Sequence, residues 1–267
     1  MTAVRTTDIR RVKATRYVTP LREGGSVPAI MEADDDGLYV VKFRGAAQGP
    51  RVLIAELLAG EIGRLLGLRV PDLVLVDLDP TLGRSEPDTE IQELIVGSGG
   101  LNLGLDYLPG SIGYDVASRF PVTAEEASAI TWFDAFVTNV DRTARNPNML
   151  IWHRQLWLID HGASLYFHHS WDNYLERARS PFAPIAAHLL LPQASGLAEA
   201  KERFVPLLTS EALQRIVETI PDDWLEATGD FESPASHRAA YLEYLETRRE
   251  AADIFTEEAE RARERVV

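Results

Sequence analysis

One stretch constrains this chain more than any other: Asn139-Val140-Asp141-Arg142-Thr143-Ala144-Arg145-Asn146-Pro147-Asn148, followed by Ile159-Asp160-His161-Gly162. Between them lie two short apolar runs, Met149-Leu150-Ile151-Trp152 and Leu156-Trp157-Leu158-Ile159, separated by the polar His153-Arg154-Gln155. That spacing predicts a β-hairpin. A hairpin returns the chain to its starting point, so it brings Asn146 and Asp160 together. An Asp, an Asn five residues on, a hairpin and a second Asp before a Gly form the layout of a phosphoryl-transfer site.

The chemistry explains the order. Transfer to a hydroxyl needs a carboxylate near the attacking oxygen and Mg²⁺ to neutralise charge on the phosphates. Mg²⁺ takes hard oxygen ligands and keeps several waters, so one carboxylate and one amide from the protein suffice. Asp141 is expected to orient or deprotonate the acceptor, with Asn146 and Asp160 holding the metal. Asn148 competes with Asn146, because Pro147 leaves the local geometry open. Taken alone, Asp and Asn at this spacing are ordinary turn and cap residues. The hairpin and the second Asp beside a Gly shift the balance towards function.

Composition excludes several alternatives. The 267 residues are 45% hydrophobic, ample for one large domain or two lobes. With no cysteine, disulfides and thiolate metal sites are absent. No apolar run approaches the ~20 residues of a membrane span, and Met1 to Tyr17 carries charges throughout with no signal-peptide core. A cytoplasmic, membrane-free protein is expected. The formal charge of −14 argues against general affinity for nucleic acid, which relies on a Lys and Arg surplus. Local basic spots remain at Arg10-Arg11 and at Arg142 and Arg145.

Along the chain, Val12 to Val18 reads as a first strand. Arg22-Glu23-Gly24-Gly25-Ser26-Val27-Pro28 is a flexible turn whose paired glycines allow backbone N–H groups to approach a phosphate. Asp34-Asp35-Asp36-Gly37 is a turn leading to the β-rich Leu38-Tyr39-Val40-Val41-Lys42-Phe43. Gly49-Pro50 starts a helix with Pro at its first position. Leu53, Ile54, Leu57, Leu58, Ile62, Leu65 and Leu66 form its apolar face and Gly67 ends it. Within this helix, Glu56 is placed to pair with Lys42, and Glu61 is expected to face solvent. Leu73 to Leu78 and Glu90 to Val96 read as strands, and Gly97-Ser98-Gly99-Gly100 as a loop. Leu105 to Gly110 is the expected connection between lobes.

Thr123-Ala124-Glu125-Glu126 has capping-box spacing. The helix it opens carries Ile130, Phe133, Phe136 and Val137 and delivers the chain to Asp141. The adjacent His168 and His169 lack a second ligand pair and are not read as a metal site. Helices are expected over Leu197 to Leu208, Ser210 to Ile220, and from about Pro234 onward with Ser233 as its cap. The stripe of Tyr241, Leu245, Ala252, Phe255 and Ala259 in the last of these reads as packing.

With these residues in place, the chain resembles the HipA-like kinases, distant relatives of protein kinases and phosphoinositide kinases. The resemblance runs from Gly24-Gly25-Ser26 through the helices beyond Asp160. It takes in Val41-Lys42-Phe43, the Glu56 helix and its spacing to Val70-Pro71, Asn139-Val140-Asp141, Asn146 and Ile159-Asp160-His161-Gly162. The last resembles the Asp-Phe-Gly metal signature of ordinary protein kinases. The resemblance implies an α+β, bilobal protein-kinase-like fold: an N-terminal antiparallel β-sheet lobe with one main helix over residues 1–107, and a mostly helical catalytic lobe over 108–267.

The resemblance also implies ATP and Mg²⁺ as cofactors and a protein serine or threonine as acceptor. Lys42 would contact the ATP phosphates and pair with Glu56, and Gly24, Gly25 and Ser26 would form the phosphate-binding loop. The backbone around Leu105 to Leu108 would hold adenine, Asp141 would be the catalytic carboxylate, and Asn146 and Asp160 would bind Mg²⁺. Ser26 is the conceivable equivalent of the loop position at which some members autophosphorylate. Some members are toxins paired with a DNA-binding antitoxin; this chain shows no clear equivalent of their extra N-terminal domain, so no antitoxin is expected. It also departs from related kinases in carrying Thr143 where they often have a His. Arg142 and Arg145 are candidates to supply positive charge to the transition state instead. Two alternatives stay open: a nucleotide-binding pseudokinase acting as a regulatory or scaffolding module, and a small-molecule kinase.

Overall fold

The computed structural model describes residues 9–21, 27–46, 49–118 and 120–267. Gly24, Gly25 and Ser26 lie outside the described residues. In the N-terminal half, β1 (Arg10–Pro20), β2 (Ala29–Ala33), β3 (Leu38–Lys42), helix α1 (Pro50–Leu65), β4 (Leu73–Leu78), helix α2 (Thr89–Gly97) and β5 (Gly100–Asp106) follow one another. The strands close on themselves in the order β1-β2-β3-β5-β4. Four of the pairings are antiparallel, as expected; the fifth, β1 with β4, is parallel. One long strand serves both neighbours: Arg10 to Lys13 pairs with β4, and Ala14 to Pro20 pairs with β2 across two register shifts. Those irregularities bend the strand enough to close the sheet. Inside, Val12, Met31, Val41, Val74 and Val76 form a small core that Ile91 and Ile95 of α2 cover.

One expectation fails here. Glu90 to Val96 is helical, not a strand. Asp88 caps the helix by accepting from the Glu90 N–H at 3.1 Å, and Ile91 and Ile95, one turn apart, bury one face. The β-branched residues favoured a strand locally, but the cap and the i, i+4 spacing prevail. The stretch after the glycines is strand β5 from Gly100 onward, which pairs along its length with β4.

Helix α1 is buried on all sides, with every residue from Leu53 to Gly63 enclosed. It packs on β4 and β5 on one side and on two helices of the C-terminal half, α6 (Ser210–Glu218) and α7 (Asp222–Thr228), on the other. A helix clasped this way has no solvent face. Glu61, expected to face water, is therefore buried and lies 3.3 Å from the Arg64 guanidinium. Gly67, at φ 79°, ends the helix as expected, in a conformation that glycine adopts without steric cost.

The C-terminal half starts with the short β6 (Ile112–Gly113), helix α3 (Ala124–Phe136), and the hairpin β7 (Met149–Trp152) and β8 (Gln155–Leu158). Helices α4 (Tyr174–Ala178), α5 (Leu197–Phe204), α6, α7, α8 (Pro234–Glu250) and α9 (Ala252–Glu264) follow. Thr123 caps α3 by accepting from the Glu126 N–H, and Ser233 caps α8 in a full capping box. Helix α3 is the spine of this half, buried from Ala127 to Phe136. Its Trp132 stacks on Phe136 with ring centroids 5.7 Å apart, and its indole N–H donates to Thr256 of α9. No helix among the described residues is long and apolar enough to cross a membrane.

Candidate active site

Strand β3 ends at Lys42, whose side chain is almost fully buried. Its Nζ donates to Glu56 Oε2 of α1 and to Asp160 Oδ1, each at 2.6 Å. Burial by itself favours a neutral amine, but the carboxylates of Glu56 and Asp160 override it and hold Lys42 above its ordinary range. Glu56 is wholly enclosed. Burial opposes its charge, yet Lys42 first and His161 second pull its carboxyl down from 4.5 to about 2. The cation and Glu56 are therefore both ionised at neutral pH. Asp160 differs in exposure: about half of its side chain is open to solvent. Three residues that are far apart in sequence thus meet at one ammonium, which aims at an exposed carboxylate.

The hairpin forms as the spacing predicts, with Met149 opposite Leu158 and Trp152 opposite Gln155. His153 and Arg154 make its turn, both at positive φ, as a two-residue hairpin turn requires. One further bond, Ile159 N–H to the Asn148 carbonyl at 3.0 Å, extends the ladder. Asp160 follows directly, so it emerges beside Asn148 at the mouth of the hairpin.

Asp141 sits in the loop between α3 and β7. Its backbone N–H donates to Asn139 Oδ1 at 3.0 Å, which orients the loop. Its carboxylate accepts from the Asn146 amide at 3.0 and 3.1 Å and from the Asn148 amide at 3.2 Å. Both candidate amides therefore face the same carboxylate, Asn146 from the exposed side and Asn148 from a half-buried position at φ 49°. Leu108 lies in the connection after β5, with its side chain buried and its carbonyl accepting from the Ser111 N–H.

What holds this loop was not evident from the motif. Asp134 of α3 is completely buried and accepts from Arg142 Nε at 2.5 Å, from His188 Nε2 at 2.9 Å and from Asn139 Nδ2 at 3.0 Å. His188 Nδ1 takes the Leu190 N–H, which leaves the proton on Nε2 for Asp134. Arg142 also donates to the Asn148 carbonyl. Burial opposes the Asp134 charge, but Arg142 and His188 hold its carboxyl far below the usual carboxylate range. One carboxylate thus pins both ends of the Asn139 to Asn148 loop. Arg142, a candidate for the transition state, is only 1% exposed and spends its guanidinium on Asp134 and a carbonyl. That expectation is corrected: a buried, fully paired guanidinium does not reach a phosphate. Arg145 remains exposed. The one sequence signal for the hub was an Asp on an otherwise apolar helical face, five residues before Asn139.

His168 is buried beside Tyr241, with Nδ1 and the phenol oxygen 2.9 Å apart. It belongs to an aromatic cluster, and no group of three His, Cys, Asp or Glu residues among those described is arranged to hold a metal.

A strand-rich half and a helical half, with a buried Lys–Glu pair bonded to an open Asp that follows a hairpin, define a kinase-like α+β fold. Residues 15–256 match the HipA-like kinases, and the chain belongs to that family of phosphotransferases. Its backbone is similar to the crystal structure of a Helicobacter pylori proinflammatory kinase, CtkA, with a TM-score of 0.57 at 14% identity, over 92% of this chain and 97% of that chain. A slighter similarity, with a TM-score of 0.45 at 14% identity, links 94% of this chain to 71% of the Golgi casein kinase structure. No curated protein matches the chain.

Proposed function

We propose that this protein is a cytoplasmic, ATP- and Mg²⁺-dependent phosphotransferase whose acceptor is a protein serine or threonine hydroxyl. The observation that carries the reading is the Lys42 ammonium held 2.6 Å from both Glu56 and Asp160. A cation kept charged while buried, next to a half-open carboxylate, suits an anionic ligand that arrives with a divalent metal. Lys42 would bind the ATP phosphates, with Glu56 fixing its direction. Asp160 and Asn146 offer the hard oxygens Mg²⁺ prefers, and Asn148 is the alternative amide. When bound, the metal would neutralise charge on the β- and γ-phosphates.

Asp141 would accept the proton of the attacking hydroxyl, with its lone pairs oriented by the two amides. Exchange of those amide contacts for metal and acceptor is the rearrangement this reading requires. The backbone at Leu108 would take adenine, and Gly24, Gly25 and Ser26 would cover the phosphates; their part rests on sequence alone. The lobe boundary falls between residues 107 and 108 on this reading. In support, the Tyr107 N–H donates to the Leu38 carbonyl of the first lobe, whereas the Pro109 carbonyl accepts from Trp152 of the second.

Calorimetric titration of ATP with and without Mg²⁺, on the wild type and on Asp160→Ala, tests the site. Metal-dependent binding that weakens at least tenfold in the variant is expected, since a charged ligand is lost. Absence of binding under every condition would overturn the proposal. Transfer of labelled γ-phosphate to a peptide library then separates kinase from pseudokinase, with Asp141→Asn as the inactive control. Transfer to small molecules but to no peptide would move the acceptor to the small-molecule alternative.

A further inference from the structure

A buried carboxylate needs a donor at each oxygen. Glu56 Oε2 has Lys42; the donor facing Oε1 is His161 Nδ1, at 3.4 Å. The His161 ring is completely enclosed and stands edge-on to Phe133 of α3, with centroids 5.8 Å apart. Its other nitrogen, Nε2, has no hydrogen-bond partner among the described residues. A proton on Nδ1 and none on Nε2 accounts for both facts, because the ring then donates to Glu56 and leaves only a lone pair unused.

The next residue strengthens the junction. A Cβ at Gly162 would lie 2.6 Å from Val52 Cγ1 of α1 and 3.7 Å from Glu56 Oε2. The Asp160-His161-Gly162 turn therefore lies against α1 more closely than a side chain at 162 would permit. Backbone contact and imidazole bond act on the same helix turn, and the residue just before them is Asp160.

We propose that His161 is a positioning residue, whose Nδ1–H locks the free oxygen of Glu56 so that helix α1 and the Asp160 turn are set as one unit around Lys42. It touches neither nucleotide nor acceptor and acts through Glu56. The role rests on the proposed reading of Lys42, Glu56 and Asp160 as the nucleotide site; the His161–Glu56 bond itself does not.

Two variants isolate the bond. His161→Phe keeps a ring against Phe133 and removes the donor, whereas His161→Asn places an amide N–H near the position of Nδ1. Calorimetry with Mg²⁺ and ATP should show His161→Phe binding about tenfold more weakly, the size of one lost hydrogen bond to a charged group, and His161→Asn within about threefold of wild type. Equal binding by wild type and His161→Phe would overturn the proposal, as would an Asn variant that folds yet binds as weakly as the Phe variant. A double-mutant cycle of His161→Phe with Glu56→Gln, read by urea unfolding, is independent of nucleotide. Non-additive effects are expected; simple additivity would refute the bond. If wild type binds no ATP while the cycle shows coupling, the nucleotide reading and with it the positioning role fail, and the His161–Glu56 bond stands.

Discussion

Two clusters in this molecule share a composition and differ in purpose. Around Glu56 stand a Lys and a His, Lys42 and His161; around Asp134 stand an Arg and a His, Arg142 and His188. Both carboxylates are completely buried and both are held ionised well below their ordinary range. The Asp134 cluster is closed. Its Arg fork and imidazole are matched to carboxylate and carbonyl oxygens, and nothing in it faces outward. The Glu56 cluster is open, because Lys42 also reaches the half-exposed Asp160. Similar ingredients become a scaffold when every charge is satisfied internally. They become a candidate site when one charge is left facing solvent. The cation differs accordingly: a guanidinium fixes several planar bonds at once, whereas an ammonium is a point charge that a phosphate can share.

The comparison predicts opposite phenotypes, and the largest effect belongs to the closed cluster. Asp134→Ala leaves Arg142 and His188 buried without their partner, which costs about 3–5 kcal/mol of stability; urea unfolding should show this loss, and amide hydrogen exchange should show faster exchange in the Asn139 to Asn148 loop. Full stability in that variant would break the contrast. In the open cluster, Glu56→Gln leaves Lys42 its bond to Asp160. Activity should therefore fall further than stability, with kcat/KM down about 100-fold, or roughly 2.7 kcal/mol. A variant that unfolds before it loses activity would put Glu56 in the scaffold class.

Acid should attack both clusters. Glu56 is depressed from 4.5 to about 2, so its contribution to stability is complete above pH 4.5 and is lost as pH falls towards 2. Asp134 is likewise held far below its ordinary range by Arg142 and His188, so its loop too should give way only in strong acid. An earlier decline comes from a different region. Burial beside Tyr241 and Phe231 depresses His237 from 6.5 to about 4, so folding disfavours its protonation and stability falls as pH drops from 6.5 towards 4. Unfolding free energies measured across this range should show both stages, and His237→Phe should lessen the first without abolishing it, because burial also holds His168 well below its ordinary range. The smallest effect is expected at the surface: Lys201→Ala removes an exposed ion pair to Asp253 and should change stability by ~0.5 kcal/mol or less.

Much of this was legible in the chain because the signals are local. The polar His153-Arg154-Gln155 between two apolar runs, Pro50 and Gly67 bounding α1, and Thr123 and Ser233 as caps each depend on a few adjacent residues. Lys42, Glu56, Asp141, Asn146 and Asp160 stand out in the sequence by residue type and spacing, and the structure gathers Lys42 with Glu56 and Asp160, and Asp141 with Asn146; their part in phosphate chemistry is the proposed reading. Where local signals conflict, as in residues 89–97, the Asp88 cap and the packing of Ile91 and Ile95 on the barrel favoured a helix over β propensity.

The sequence by itself therefore determined the kinds of element, their order and the chemistry available, since caps, turns and ligand types are properties of neighbouring residues. Only the tertiary structure decided what each charge does. It enclosed Glu61 by clasping α1 between two halves, and it turned Arg142 inward onto Asp134. It also brought His161 to Glu56 and His188 to Asp134 from 105 and 54 residues away. Burial and pairing depend on which distant surfaces meet, and for a charged side chain those two quantities separate a scaffold from a site.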